Sequence, residues 1–271
     1  MDIRLIATDL DGTLLRSDHS VSALTMSVLA AVQDAGIPVV PISGRQPYAL
    51  VPIAERAGLR GAAVCANGAI GYDLATGEVL YEELLSVAAQ TALVEGIRAV
   101  YPGVRCVSFR DAGTTLVPER GYTGMMDPGD HNRADAAPPV EYDLEEVLAA
   151  PSVKLVLRQP GLAPEALLAL ATELGVPGVQ PTLSGPPFLE VAAAGVTKSA
   201  GLARLCAHLG LGAQHVAAFG DHLNDLDLLQ WAGLGVAMGN AVDEVKAVAH
   251  KITLTNDEDG LAVAIRDLLG L

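Results

Sequence analysis

The sequence predicts an α/β protein: a three-layer domain with a parallel sheet, interrupted by an inserted α+β unit. Three observations lead there. Short apolar runs alternate with helix-period segments at both ends of the 271-residue chain, which is the rhythm of βαβ units. That rhythm breaks after Asn67-Gly68, where strand and helix signals mix in a different order. Hydrophobic residues make up 51% of the chain but aromatics only 4%. A core of Ala, Val, Leu and Ile suits helices on a buried parallel sheet better than an aromatic-rich sandwich.

Taken in order, residues 3–8 (IRLIAT) form a short apolar strand, and residues 22–35 carry helix-period apolar positions closed by Gly36. Residues 38–42 (PVVPI) are a second strand, with Pro41 a blemish because proline has no N–H for a central ladder. Either that strand frays at Pro41 or it lies near an edge. A helix opens near Pro47 and ends at Gly58, and residues 62–66 (AAVCA) make a third strand. Residues 69–82 alternate around a Thr-Gly turn and read as a hairpin. A helix at 86–100, strands at 104–110 and 114–117, and a long polar loop at 118–139 come next. Then follow a helix (143–149), a strand (153–158), a helix (163–174) and extended segments near 178–183 and 187–192. From about 195 the βα rhythm returns: helix 198–209, strand HVAAFG, a helix near 224–231, strand GLGVAM, helix 242–249, strand KITLT and a last helix. Residues 1–83 and 190–271 are therefore expected to form one discontinuous domain, with 84–189 inserted. Chains divided this way often place a site at the seam.

Lys and Arg total 17 against 32 Asp and Glu, a net charge of −15. Such a surface repels nucleic acid and anionic membranes, so no partner of either kind is expected. An anionic substrate would need cations supplied within its site. Cys65, Cys106 and Cys206 are widely spaced with no C-x-x-C pair, and read as small buried hydrophobes rather than zinc ligands or disulfides. No run approaches the ~18 apolar residues of a membrane span, and MDIRLIATDLDG reads as a strand rather than a secretory signal. The expectation is a cytoplasmic protein, monomeric or a weak homodimer.

Four motifs carry chemistry. Asp9-Leu10-Asp11-Gly12-Thr13 follows the first strand, where ligands bind in open α/β sheets. Residues two apart on extended chain face the same way, so the two carboxylates converge and call for a cation or a shared proton. An ordinary Asp-Gly turn is the plain alternative. Ser43-Gly44-Arg45 follows the second strand and offers a hydroxyl, a backbone N–H and a guanidinium to phosphate oxygens, although it is also a common turn. Lys198 begins a helix, the wrong end of the macrodipole for a cation unless an anion sits there; a solvated lysine is the alternative. Gly220-Asp221-His222-Leu223-Asn224-Asp225 again ends a strand. Asp221 is placed as a metal ligand, whereas Asn224 and Asp227 also suit a helix cap and first turn, the reading preferred for Asp227. His222 reads as a surface residue and stays outside the catalytic set.

In this order, DLDGTLL, SGR, the lysine of GVTKSAGL and GDHLND resemble the four motifs of the haloacid dehalogenase-like superfamily of phosphatases. CANGA at 65–69, GLGVAMGNAVDEVKAVA at 233–249 and ITLTNDEDGLA at 252–262 narrow the resemblance to its Cof-like, subclass IIB hydrolases. The resemblance implies a Rossmann-like core, a cap inserted after the third strand, and Mg²⁺-dependent hydrolysis of a small phosphorylated metabolite such as a sugar phosphate. It implies that Asp9 is the nucleophile forming an aspartyl-phosphate, and that Asp11 is the general acid and then base. Metal contacts fall on the Asp9 carboxylate, the Asp11 main-chain carbonyl and the Asp221 carboxylate. Ser43, Gly44, Lys198 and Asn224 hold the phosphoryl group, Arg45 and Asn67 line the pocket, and Asp225 orients Lys198 or the metal waters. Mg²⁺, Lys198 and Arg45 would offset the roughly four negative charges of Asp9, Asp221 and a phosphate dianion.

Two other functions remain compatible with these residues. A phosphotransferase or mutase would pass the phosphoryl group to a second acceptor instead of water. A phosphoaspartate signalling domain, similar to a response-regulator receiver, also places acids, a hydroxyl and a lysine at strand ends, but it lacks an insertion. Within the polar loop 118–139, Arg120, Tyr122, Asp130, His131 and Arg133 are candidates to face the leaving group, although solvent exposure is the expectation for most of them.

Overall fold

A computed structural model of the chain describes residues 2–127 and 139–270. The chain opens with β1 (Leu5–Thr8), α1 (Ala23–Asp34), β2 (Val39–Pro41), α2 (Pro47–Arg56), β3 (Ala62–Cys65), β4 (Ile70–Asp73) and β5 (Val79–Glu82). It continues through α3 (Val87–Val100), β6 (Arg105–Arg110), β7 (Thr115–Pro118), α4 (Leu144–Leu148), β8 (Lys154–Arg158), α5 (Pro164–Leu174), β9 (Val179–Thr182) and β10 (Leu189–Ala193). It closes with α6 (Lys198–His208), β11 (Val216–Gly220), α7 (Leu226–Trp231), β12 (Leu234–Ala237), α8 (Asp243–Val248), β13 (Lys251–Ile252) and α9 (Gly260–Leu269).

The first sheet is parallel, in the order β13-β12-β11-β1-β2. From β1 the chain steps one way to β2, and from β11 it steps the other way to β12 and β13. Right-handed crossovers then put α1 on one face and α7 and α8 on the other, and α9 joins α1. This is the expected three-layer core. Ser22 caps α1 and Thr197 caps α6, each accepting from a backbone N–H three residues on.

The third strand departs from the sequence expectation of a full member of the parallel sheet. β3 touches β2 through one parallel bridge, Ile42 to Val64, and its ladder partner is β4, antiparallel. The cause is the turn at Ala66, Asn67 and Gly68, which hold φ of 51°, 55° and 108° and fold the chain back on itself. The same arrangement explains Pro41. Ile42 donates its N–H to Thr8 on the β1 side, so by alternation Pro41 faces β3, where no continuous ladder needs an N–H. The closing strand KITLT is also shorter than expected, pairing only at Lys251–Ile252.

The inserted unit carries an antiparallel sheet in the order β7-β6-β8-β10-β9. Its last strand runs to Ala193, three residues beyond the expected return at 190. Side chains alternate across this sheet. Cys106, Leu155, Leu157 and Leu189 join α3 and α5 in a core of their own, while Val107, Phe109 and Val156 pack with the core of the parallel domain. Lys154 and Glu190 share that second face, so the sheet presents charges toward the seam. The start of the expected polar loop is packed rather than solvated: Tyr122 is 0% exposed, and buried Glu119 pairs with Arg98 and Arg105. Among the described residues, no helix is long and apolar enough to cross a membrane.

Candidate active site

The sheet order reverses between β1 and β11, and in such sheets a crevice opens outside the carboxyl ends of the strands. Asp9 follows β1, Asp221 follows β11 and Ser43 lies just beyond β2, so three motifs far apart in sequence reach one edge. The fourth arrives with α6. Lys198 is 1% exposed, and its Nζ donates to Asp9 Oδ1 and to Asp225 Oδ1, each at 2.6 Å. Burial alone would lower the Lys198 pKa, but the charges of Asp225 and Asp9 more than reverse this and hold the ammonium protonated. The helix-start lysine therefore has buried anions beside it, which answers the dipole problem posed by the sequence.

Asp9, Asp221 and Asp225 bring carboxylate oxygens within 4.8 Å of one another. One lysine does not balance three clustered acids, of which Asp9 and Asp225 are buried. Burial, then the neighbouring Asp225 charge, pushes Asp221 up to about 7. Burial likewise holds Asp9 well above the carboxylate range, despite the opposing pull of Lys198. This surplus of negative charge on hard oxygen donors fits a divalent cation such as Mg²⁺. Asp225 is fully buried, and its Oδ2 accepts from the backbone N–H groups of Asp221 and His222 at 3.0 and 3.1 Å. It thus fixes the loop that carries Asp221 while holding Lys198.

Asp11 points elsewhere. Arg45 grips it with two parallel hydrogen bonds, Nε to Oδ2 at 2.7 Å and Nη2 to Oδ1 at 2.5 Å. Gly12 makes the turn between these acids possible. It holds φ of +79°, and a Cβ there would lie 2.2 Å from Asp221 Oδ2. Thr13 Oγ1 donates to Asp221 Oδ1 at 3.3 Å, and Asn240 Nδ2 donates to the Gly12 carbonyl at 2.8 Å.

A cavity of about 350 Å³ opens on this cluster. Asp9, Asp11, Ser43, Gly44, Arg45 and Asn224 line it, together with Gln46, Phe109, Lys154, Phe188 and Glu190. The two units meet here through a buried polar chain. Lys154 Nζ donates to Glu190 Oε1 at 2.5 Å and to the Gly44 carbonyl at 2.8 Å. Asn67 Nδ2 donates to Glu190 Oε2, and Asn224 Nδ2 donates to Asn67 Oδ1, both at 2.9 Å. Asn67 thus lies behind Asn224, on a second cavity of about 290 Å³, rather than on the wall of the first.

His222 lies on the main cavity with Nδ1 3.4 Å from the Leu183 carbonyl. Asp227 lies in the first turn of α7, the reading preferred from the sequence, and also accepts from the Ser199 N–H at 3.1 Å and from its hydroxyl at the start of α6. Of the loop candidates, Arg120 pairs with Asp143 at an exposed position and Tyr122 is buried. Asp130, His131 and Arg133 lie outside the described residues. The sequence reading missed Lys154, Glu190, Gln46 and Asn240. For the first two a signal was present, because each is a charge set in an otherwise apolar run, VKLVL and FLEVAA.

The family model for haloacid dehalogenase-like hydrolases matches residues 6–265. The chain is 32% identical over 266 residues to a 5-amino-6-(5-phospho-D-ribitylamino)uracil phosphatase of Bacillus subtilis, covering 98% of this chain and 96% of the relative. It is 29% identical over 277 residues to a pyridoxal phosphate phosphatase of Escherichia coli, covering 97% of each. Among solved structures, it is similar to a haloacid dehalogenase-like hydrolase from Bacteroides thetaiotaomicron, with TM-score 0.76, 30% identity and coverage of 98% and 99%. A subclass IIB sugar phosphatase shares the fold with TM-score 0.83 at 23% identity, covering 99% and 100%.

Proposed function

The chain belongs to the haloacid dehalogenase-like hydrolases, in their Cof-like group, and is a phosphatase of that family; from that premise we propose that it hydrolyses the phosphate ester of a small metabolite through an aspartyl-phosphate on Asp9. The observation that carries this reading is the buried Lys198 ammonium, held between Asp9 and Asp225 at 2.6 Å from each. A carboxylate kept dry beside a fixed cation is an oriented nucleophile with a neutralising partner for the incoming phosphoryl group.

In the first step an Asp9 oxygen bonds to phosphorus and the ester P–O bond breaks. Asp11 gives its proton to the departing alkoxide. In the second step Asp11 takes a proton from water, the water oxygen bonds to phosphorus, and the Asp9–phosphate bond breaks to release inorganic phosphate. Ser43, the Gly44 N–H, Lys198 and Asn224 hold the phosphoryl oxygens, and Arg45 alternates between those oxygens and Asp11. Asp9, Asp221 and the Asp11 carbonyl would hold Mg²⁺, which when bound supplies positive charge against the developing charge on the phosphoryl oxygens. Asp225 sets the positions of Lys198 and Asp221. Residues 84–193 act as the cap that covers the leaving group and excludes water, and the three cysteines remain buried thiols, as a cytoplasmic protein keeps them.

The test is release of inorganic phosphate from phenyl phosphate with Mg²⁺ and with excess chelator. Turnover that chelator abolishes is the expected result. Turnover indifferent to chelator, or none with Mg²⁺, overturns the proposal.

A further inference from the structure

We infer that Gln46 is a specificity-determining residue whose carboxamide selects a neutral, hydroxyl-bearing leaving group. The inference rests on the phosphatase reading above and adds the residue that reads the alcohol.

Gln46 stands at the N-cap of α2 yet makes no capping hydrogen bond with its side chain. It is 3% exposed, and both Nε2 and Oε1 are buried without a hydrogen-bond partner among the described residues. A primary amide offers two donors and two acceptor lone pairs, and folded proteins satisfy nearly all such groups once they are buried. A structural glutamine at this position would cap the helix or bond the hairpin above it. Gln46 does neither.

Its surroundings show where a partner comes from. One residue from Arg45, Gln46 lies in the wall of the cavity that contains Asp9 and Asp11. On its other side the tip of the β6–β7 hairpin closes over the amide with bare backbone. Gly113 there holds φ of +83°, and a Cβ on it would lie 2.1 Å from Gln46 Oε1. The hairpin offers the amide no hydrogen bond and neither amide atom touches solvent, so the carboxamide meets a partner by turning into the cavity whose wall Gln46 helps to form. The partner's charge follows from the charged pair that lines the same cavity. Lys154 and Glu190 neutralise each other and are further occupied by the Gly44 carbonyl and Asn67, so this pair calls for no net charge. The leaving group that fits is neutral and presents a donor and an acceptor together, as hydroxyl groups do.

The experiment compares two esters of equal chain length, sorbitol 6-phosphate and n-hexyl phosphate, in the wild type and in Gln46→Met, which keeps the length of the side chain and removes its hydrogen bonds. Unliganded Tm is measured on both proteins. The variant is expected to lose roughly tenfold or more kcat/KM on the polyol ester relative to the alkyl ester. Its Tm is expected to hold or rise, because an unpartnered buried amide has been replaced by an apolar group. A ratio that does not move overturns the inference, and so does a Tm that falls by many degrees with equal losses on both esters, which marks a structural role. Gln46→Asn, which restores a shorter carboxamide, is expected to recover part of the ratio; no recovery counts against the inference. Absence of turnover by the wild type on both esters overturns instead the phosphatase reading beneath it.

Discussion

Arg45 holds both carboxylate oxygens of Asp11 in a fork, with Nε 2.7 Å from Oδ2. A carboxylate gripped in this way does not face an ester, so the proposed proton transfer requires Asp11 to turn from the guanidinium to the leaving oxygen. Loss of the proton donor should therefore reduce turnover without loosening binding. Asp11→Asn is expected to lower kcat on phenyl phosphate by about 10²–10⁴-fold while KM stays within a few-fold. Steady-state kinetics check this, and a KM that rises in step with the loss would assign Asp11 to binding instead.

The charge surplus around Asp9 gives a pH dependence with a defined sign. Both Asp9 and Asp221 have their folded pKa raised, Asp221 to about 7. Between the ordinary carboxylate value near 4 and that raised value, the folded chain binds more protons than the unfolded one. The metal-free protein therefore loses stability from this cluster as pH rises through that window. Mg²⁺ competes with those protons, so the rise in Tm on adding Mg²⁺ is expected to grow from pH 5 to pH 8. Thermal melts with Mg²⁺ and with chelator across that range check the slope.

Lys198 is the buried counter-charge of two acids, and its removal leaves them facing each other. Lys198→Met is expected to cost about 3–5 kcal/mol in the metal-free protein and to abolish turnover. The variant should also gain more Tm from Mg²⁺ than the wild type does, because a larger share of the negative charge is left for the cation. Urea unfolding and thermal melts measure both effects.

The seam pair behaves differently with pH. Burial alone would raise the Glu190 pKa, but the Lys154 charge and hydrogen bonds from Lys154, Ser184 and Asn67 lower it below its ordinary 4.5. Its stabilisation is thus present above that value and is lost as pH falls through the lowered one. Lys154→Met is expected to cost about 3–5 kcal/mol at neutral pH; burial then raises the Glu190 pKa, so that cost is expected to shrink as pH falls through the raised value. Adding Glu190→Leu should restore most of the stability, since the uncompensated charge is then gone. Chemical denaturation of the single and double variants tests the pairing.

Much of this was legible because the chemistry sits at strand ends. The apolar runs that became β1, β2 and β11 set where Asp9, Ser43 and Asp221 emerge. What stayed hidden depends on which strands become neighbours. Nothing local distinguishes β3 as a parallel strand from β3 as the start of an antiparallel sheet, because the turn at Ala66–Gly68 that decides it relies on left-handed residues of which only one is glycine. Asn67 sits behind Asn224 for the same reason. Lys154, Glu190 and Gln46 reach the cavity only once the inserted sheet lies on the parallel domain, a contact between residues more than 100 positions apart for Lys154 and Gly44. A charge in an apolar strand was the one hint of it.

The central claim is that Asp9 carries the phosphoryl group, and the most direct measurement is rapid acid quench of the enzyme with ³²P-labelled phenyl phosphate, followed by counting of protein-bound label. The account predicts substoichiometric label on the wild type that hydroxylamine removes, and neither label nor turnover in Asp9→Asn. Label of equal amount on Asp9→Asn, or full turnover by that variant, would contradict it.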